Sequence, residues 1–320
     1  MISRFVVRRI IQGFLVIFCL SIISFAIINV APGDPATALY GDLADRLTTE
    51  ERNRINENYG ADKPLTERYI KWVKGVARGN LGVSYVEGRE VTTILKEKIP
   101  NTLKLVSWTI SLILVCSLLL GLKAGFNENS FWDKFVSGMS VFFYSIPSFW
   151  LALIFIILFS VCLGWLPSAG NKNISGSGGI FSNLKYYIMP VSVLVIAHAG
   201  AYARFIQEKV KEEVNSHYVI AAKANGMDDR KIMKGIVKNA LVPFINYLGI
   251  TIPSFFGGSV VIETVFSWPG LGMLNVKAAN SKDYPLLMGA IFMTGILVVI
   301  SIMITDILQL VVNPSLRKQV

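Results

Sequence analysis

Few residues in this chain could do chemistry, and their positions narrow what that chemistry is. Two carboxylates, Glu263 and Asp306, interrupt long apolar runs, where a charge is costly in lipid and marks a functional contact by default. Glu263 has two readings: it lines a solute path and receives an amino group, or it closes an ion pair or a helix-end hydrogen bond. Asp306 reads as the partner of a basic residue near the end of its run. His198 and His217 are the only histidines, too few and too far apart for a typical metal cluster. Cys19, Cys116 and Cys162 lie in apolar runs without spaced partners and read as packing residues. There is no His-Glu-x-x-His motif, and His198 has no obvious Gly-flanked serine partner, so an intramembrane hydrolase lacks its nucleophile or metal. No G-x-x-x-x-G-K-[ST] loop occurs either, which leaves the chain without the usual cradle for ATP.

A second kind of chemistry is recognition. Between two apolar runs lies the charged segment Tyr218 to Pro243, in which Tyr218, Ala221, Ala222 and Asn225 stand at i, i+3, i+4 and i+7, one face of a helix. Gly226 follows where a helix end needs a residue tolerant of positive φ. Asp228 and Asp229 then stand where a second helix begins, the end that favours negative charge, with Lys234 and Lys238 further along. The spacing predicts two helices at an angle, with Ala221, Ala222, Lys223, Ala224, Asn225, Gly226 and Met227 at or near the corner. Small residues there let another protein's groove approach the backbone, and nearby basic residues can pair with an acidic rim. Spacing leaves open the blander reading, a loop whose alanines merely favour helix.

The elements that position these residues are membrane spans. With 53% hydrophobic and 16% charged residues and a mean hydropathy of +0.53, the composition is that of a polytopic membrane protein. Uncharged runs near the roughly 20 residues a bilayer requires lie at Ile10–Ala31, Leu105–Leu122, Phe135–Gly164, Tyr186–Ala203, Ala240–Ile262 and Leu286–Thr305, predicting six spans. The first is too long for a signal-peptide core and lacks a small-residue cleavage site. Basic residues concentrate at Arg4, Arg8, Arg9, Lys123, Lys134, eight positions from Arg204 to Lys238, and Arg317 and Lys318, which predicts that both termini face the cytoplasm. That distribution also accounts for much of the +10 net charge, so topology and anionic headgroups explain it better than nucleic acid. The predicted organisation is an N-terminus and first helix (1–31), an extracytoplasmic segment (32–104), a transmembrane core (105–312) with an inner loop (204–239), and a cytoplasmic tail (313–320).

Within the outer segment, Thr48-Thr49-Glu50-Glu51 resembles a capped helix start, and Ile70, Trp72, Val73 and Val76 give an apolar stripe. Two or three short helices are expected, either as a lid over the pore entrance or as a binding module. The Gly/Ser stretch with Gly170, Gly176, Gly178 and Gly179 reads as a flexible loop. Pro147, in Tyr144-Ser145-Ile146-Pro147-Ser148-Phe149-Trp150, is expected to kink or interrupt the third span; Pro190 begins the fourth, and Pro253 with Gly257-Gly258 loosens the fifth. Bent helices around a shared centre suit a translocation path, with Pro147, Phe149, Trp150 and Glu263 as candidates to line it.

The inner loop resembles the short signature on permease subunits of ABC importers, in which Glu-Ala-Ala, three residues and Gly form a coupling helix that fits a cleft on the ATPase. Ile220-Ala221-Ala222 replaces the acidic triplet and Gly226 matches the glycine. The longer form, through Lys238-Asn239-Ala240-Leu241-Val242-Pro243, is similar to the dipeptide, oligopeptide and nickel branch. Pro32-Gly33-Asp34-Pro35, Gly79-Asn80-Leu81-Gly82, Gly164-Trp165-Leu166-Pro167, Phe266-Ser267-Trp268-Pro269-Gly270 and Asp283-Tyr284-Pro285 resemble that branch in order. The resemblance implies an all-α polytopic fold of the type I ABC importer permease, with six transmembrane helices and a small helical extracytoplasmic insertion, in a bacterial inner membrane. It implies a non-catalytic subunit that binds no cofactor or metal. Its partners would be a second homologous permease, two ABC ATPase subunits that carry ATP and Mg, and an extracytoplasmic substrate-binding protein. Peptides are the cargo taken forward, nickel or a metal chelate the alternative. An ion-coupled secondary carrier is the rival class, but internal repeats are absent and only Asp306 lies well inside a span. Ile220 and Asn225 depart from the signature, which shifts the expected docking there from charge toward shape and backbone contact.

Overall fold

The computed structural model describes residues 2–30, 33–172 and 180–312. Pro32, Gly176, Gly178, Gly179 and the tail with Arg317 and Lys318 lie outside the described residues. Among the described residues the chain is helical, with one isolated antiparallel bridge between Val83 and Glu90. The helices are α1 (Ile2–Val30), α2 (Pro35–Tyr40), α3 (Thr49–Tyr59), α4 (Leu65–Ala77), α5 (Val91–Phe126), α6 (Phe131–Tyr144), α7 (Ser148–Phe155), α8 (Ile180–Val214), α9 (His217–Ala224), α10 (Asp229–Val265), α11 (Leu271–Asn280) and α12 (Tyr284–Val312). Of these α1, α5, α8, α10 and α12 are long and apolar enough to cross a membrane.

The expected third span is two helices rather than one. α6 and α7 are bent by 95°, and only when this broken pair is counted as one span does the number reach six. Pro147 explains the break: it has no N–H for the ladder, and its ring clashes with the preceding turn. Its backbone is extended (φ −60°, ψ 130°) and starts α7, while Ser145 turns its hydroxyl back to the Val141 carbonyl (2.8 Å). Other prolines behave differently. Pro190 lies inside α8 rather than at its start, and α10 runs unbroken for 37 residues through Pro243 and Pro253. Around Pro190 the buried Met189, Val191, Val193 and Leu194 hold the helix by packing that outweighs one lost hydrogen bond.

The chain divides into two compact units: one of Met1–Phe5, Lys104–Trp268 and Ser301–Val320, the other of Val6–Leu103 and Pro269–Ile300. In the first, Leu105, Leu151, Ala152, Val193, Leu194, Ile262, Phe266 and Trp268 form a buried core. Aromatic rings seat α8 on α10: Phe205 stacks on Tyr247 (4.5 Å between centroids), and His198 packs edge-on against Phe255 (4.9 Å). Gly125 lets α5 approach α8, since a Cβ there would stand 2.6 Å from Val210 Cβ.

In the second unit Leu81, Val91, Ile94, Leu95, Leu271, Leu274 and Leu286 form the core. Its polar segment holds α2, α3 and α4. Asp34 caps α2 ahead of Pro35, and Thr48 with Glu51 closes a reciprocal capping box on α3. The apolar stripe expected on α4 is only half correct. Trp72 and Val76 pack toward the core and Tyr69 meets Phe25 and Trp72, but Ile70 and Val73 are exposed. Residues 69, 72 and 76 share one helical face, and residue 70 falls on another. Asp283, wholly buried, accepts hydrogen bonds from the Ser84 hydroxyl, the Tyr85 and Val86 amides and Leu286 N–H of α12.

Candidate functional site

α9 is a short helix carried between the two longest helices of the first unit. Val219 is its one buried residue, while Tyr218, Ile220 and the following Met227 are 43%, 58% and 50% exposed. Ala221, Lys223, Ala224, Asn225 and Gly226 are exposed and Ala222 is half-buried. The corner after α9 is fixed by backbone. Gly226 N–H reaches the Lys223 carbonyl and Met227 N–H the Ala222 carbonyl (both 3.0 Å), the paired bonds of a Schellman motif. Gly226 takes φ +70° with open space around it, a conformation that costs glycine no Cβ clash. Asp228 then caps α10 through Arg230 N–H (3.1 Å). Sequence spacing therefore placed both the corner and the start of the second helix.

Tyr218, which spacing singled out, closes the base of this corner with two side chains that spacing did not, Glu213 and Asn239. Tyr218 donates its hydroxyl to Glu213 Oε2 (2.7 Å), and Asn239 Nδ2 donates to Glu213 Oε2 and to the Tyr218 oxygen (both 3.2 Å). Burial, together with the nearby Glu213 carboxylate, pushes the Tyr218 phenol above its ordinary pKa, so it stays a donor at neutral pH. One turn lower, Lys211 Nζ meets Asp133 Oδ1 at 2.7 Å, with side-chain exposures of 25% and 11%. Gln207 Nε2 also donates to Asp133, and Asn129 N–H reaches its Oδ2 (2.7 Å). Gln207 Oε1 is buried and accepts no hydrogen bond among the described residues. Lys211 and Asp133 lie 78 positions apart, so no local pattern could have paired them.

The residues predicted to line a path lie elsewhere. Pro147 is exposed at the α6–α7 break, and Phe149 and Trp150 are about half exposed, whereas Leu151 and Ala152 on the other side of α7 are buried with Ile262 of α10. Glu263 follows Ile262 and is wholly buried, its carbonyl accepting Trp268 N–H at 2.7 Å. Asp306 of α12 is 7% exposed. Along α10, Glu263 and the α9 corner are about 50 Å apart at 1.5 Å per residue, so the structure separates the exposed corner from that buried carboxylate.

Five long apolar helices, a broken sixth and a small exposed helix carried between α8 and α10, among described residues that are helical apart from loops, define a class of membrane transport component. In keeping with this, 69% of the chain matches 96% of a chain in an inward-facing structure of the MetNI methionine ABC transporter, with a TM-score of 0.53 and 20% identity; the fold is the type I ABC permease fold. Residues 117–318 match the family described as binding-protein-dependent transport system inner membrane component, and residues 1–106 match its N-terminal companion. The chain belongs to this family, as a multi-pass membrane permease subunit of an ABC importer. It is 33% identical over 317 residues to the oligopeptide transport system permease protein AppB of Bacillus subtilis, covering 98% of this chain and 99% of that one. It is 30% identical over 316 residues to the metal-staphylopine import system permease protein CntB of Staphylococcus aureus, covering 98% of both.

Proposed function

We propose that this chain forms half of the membrane pathway of a peptide importer and that α9 is the seat of an ATPase subunit. The observation that carries the docking reading is α9 itself: an exposed helix with one buried anchor, a corner locked by backbone bonds, and small residues at the turn. ATP and Mg sit on the partner ATPases, a second permease completes the path, and an extracytoplasmic binding protein delivers the cargo. The basic residues about α9 support a cytoplasmic position for it and for both chain termini. Closure of the ATPases on ATP pushes α9, and α8 and α10 carry the movement into the spans. The exposed face of α7, with Phe149 and Trp150 beside Pro147, lines the path. Glu263, buried behind α7, shapes it as a positioning residue.

Ala222→Glu inserts bulk and charge at the corner without touching the buried core; Gly226→Arg does so too and also strains the φ +70° backbone there. Each variant is expected to reach the membrane in normal amounts and to lose its ATPases on purification; normal co-purification would refute the docking role. Peptide cargo is supported by the resemblance to AppB, and a metal-chelate cargo by the resemblance to CntB. Uptake of trialanine against uptake of a nickel chelate, in cells carrying the whole system, decides between them. A Glu263→Gln variant that transports at the normal rate would remove Glu263 from any part in the path.

A further inference from the structure

The cluster around Asp133 has a role that docking alone does not give it. Asp133 stands in the first turn of α6, and Ser130 caps that turn by accepting Asp133 N–H. Lys211 and Gln207 stand near the end of α8, and Asn215 Nδ2, just before α9, returns to the Lys211 carbonyl (3.0 Å). Asp133 therefore joins the base of the broken α6–α7 element to the last turns of the arm that carries α9. Neighbouring contacts reinforce the same joint. Lys123 at the end of α5 lies 3.7 Å over the Trp132 ring, and α5 packs on Val210 where Gly125 admits it. A charge-assisted bond between largely enclosed groups fixes geometry, and such a pair commonly sets register rather than adding net stability.

We propose that the Asp133–Lys211 ion pair is the link through which displacement of α9 reaches the α6–α7 break. This rests on the docking reading, and the two separate experimentally. Without Lys211, α9 keeps Val219, the Glu213–Tyr218–Asn239 triangle and its exposed corner, so an ATPase still docks. What is lost is the charged bond between α8 and α6; their close packing at Gly200 against Ser140 and at Val136 beside Ala203 remains, so movement at Pro147 is weakened rather than abolished. Gln207 alone is a weaker substitute because it brings no charge.

The test uses the whole complex, with Cys19, Cys116 and Cys162 replaced by serine and a nitroxide attached at Tyr144→Cys, an exposed position just before the break. Docking is read by co-purification of the ATPases, and movement by the change in nitroxide mobility on adding ATP with vanadate. In Lys211→Met the ATPases are expected to remain bound while the mobility change falls about fivefold; Lys211→Arg restores it. Asp133→Asn, which can still accept Asn129 N–H but carries no charge for Lys211, gives a similar loss and covers the event that Lys211→Met does not fold. An undiminished change in Lys211→Met, or in Asp133→Asn where it is the only folded variant, overturns the proposal. So does ATPase loss that parallels the mobility loss, because the pair then only folds the arm, and so does an unlabile nitroxide in the unsubstituted complex. Retention of ATPases by Ala222→Glu instead overturns the docking reading alone.

Discussion

Asp283 and Asp133 are both enclosed carboxylates at the start of a helix, 0% and 8% exposed, yet they are satisfied in different ways. Asp283 is held by backbone amides and one short hydroxyl, donors that the turn at Ser84 to Val86 and the first turn of α12 fix in place. Asp133 takes one backbone bond, from Asn129 N–H, and is otherwise held by an ammonium and an amide on long side chains that arrive from another helix. The first arrangement has one geometry and staples a fold. The second ties two helices together through long side chains, so it sets the register of one against the other. What separates a structural carboxylate from a transmitting one is whether its donors are mostly fixed backbone or side chains of a neighbouring helix, not its burial.

Removing each carboxylate's surroundings tests that contrast. Asp283→Ala leaves several buried donors without an acceptor, at about 1–3 kcal/mol each. It is expected to be the most damaging single change, costing several kcal/mol, which thermal unfolding of the purified chain would show as a large fall in midpoint. Asp283→Asn should recover part of this, because its amide oxygen still accepts. If Asp283→Ala unfolds at the normal temperature, the staple reading is wrong. Next in size is Gly125→Val beside the Asp133 joint. Its side chain meets Val210 and the Gln207 carbonyl, where even a Cβ would stand 2.6 and 3.0 Å away, so overpacking should cost about 1–3 kcal/mol. Combined with Lys211→Met, it should cost less than the two changes added, because both loosen one joint. Strict additivity would show that α5 does not take part.

What the sequence revealed follows the range of the forces involved. The caps at Thr48 and Asp228, the corner at Gly226 and the run lengths of the spans are written within a few residues, and local spacing finds them. The break at Pro147 was legible as an interruption, but not its 95° angle, which depends on Leu151 and Ala152 finding a core built from distant helices. Pro190 and Pro253 carried the same local signal as Pro147 and broke nothing, because packing around them outweighed one missing bond. Asp133 with Lys211, and Asp283 with Ser84, are pairings across the chain whose members look ordinary in isolation. Of the candidate site, therefore, the exposed corner could be read directly, and the polar joints that hold it could not.

The smallest effect is expected where a carboxylate has a cationic partner but lies near the surface. Asp34 accepts from Thr37 N–H (2.9 Å) as the cap of α2 and from Arg52 Nε (2.6 Å) on α3, with side-chain exposures of 20% for Asp34 and 41% for Arg52. Burial works to raise its pKa, but the bonds from Arg52 and Thr37 outweigh it and hold the carboxyl well below the usual carboxylate range. A folded pKa below the unfolded one gives stability that is fully present above the unfolded value, about 3.9. That stability is lost as pH falls through the folded value. Arg52→Gln removes the charged partner and should cost less than about 1 kcal/mol at neutral pH, as exposed ion pairs do. The difference in unfolding midpoint between the two proteins should be constant from pH 7 to about 5 and should shrink as the medium is taken below about pH 4, where Asp34 of the variant and of the unfolded chain takes up its proton. A gap that widens in acid would mean that Arg52 acts through contacts other than Asp34. In that case the Asp34 cap, like the one Asp283 supplies, would be held by its fixed backbone donors alone.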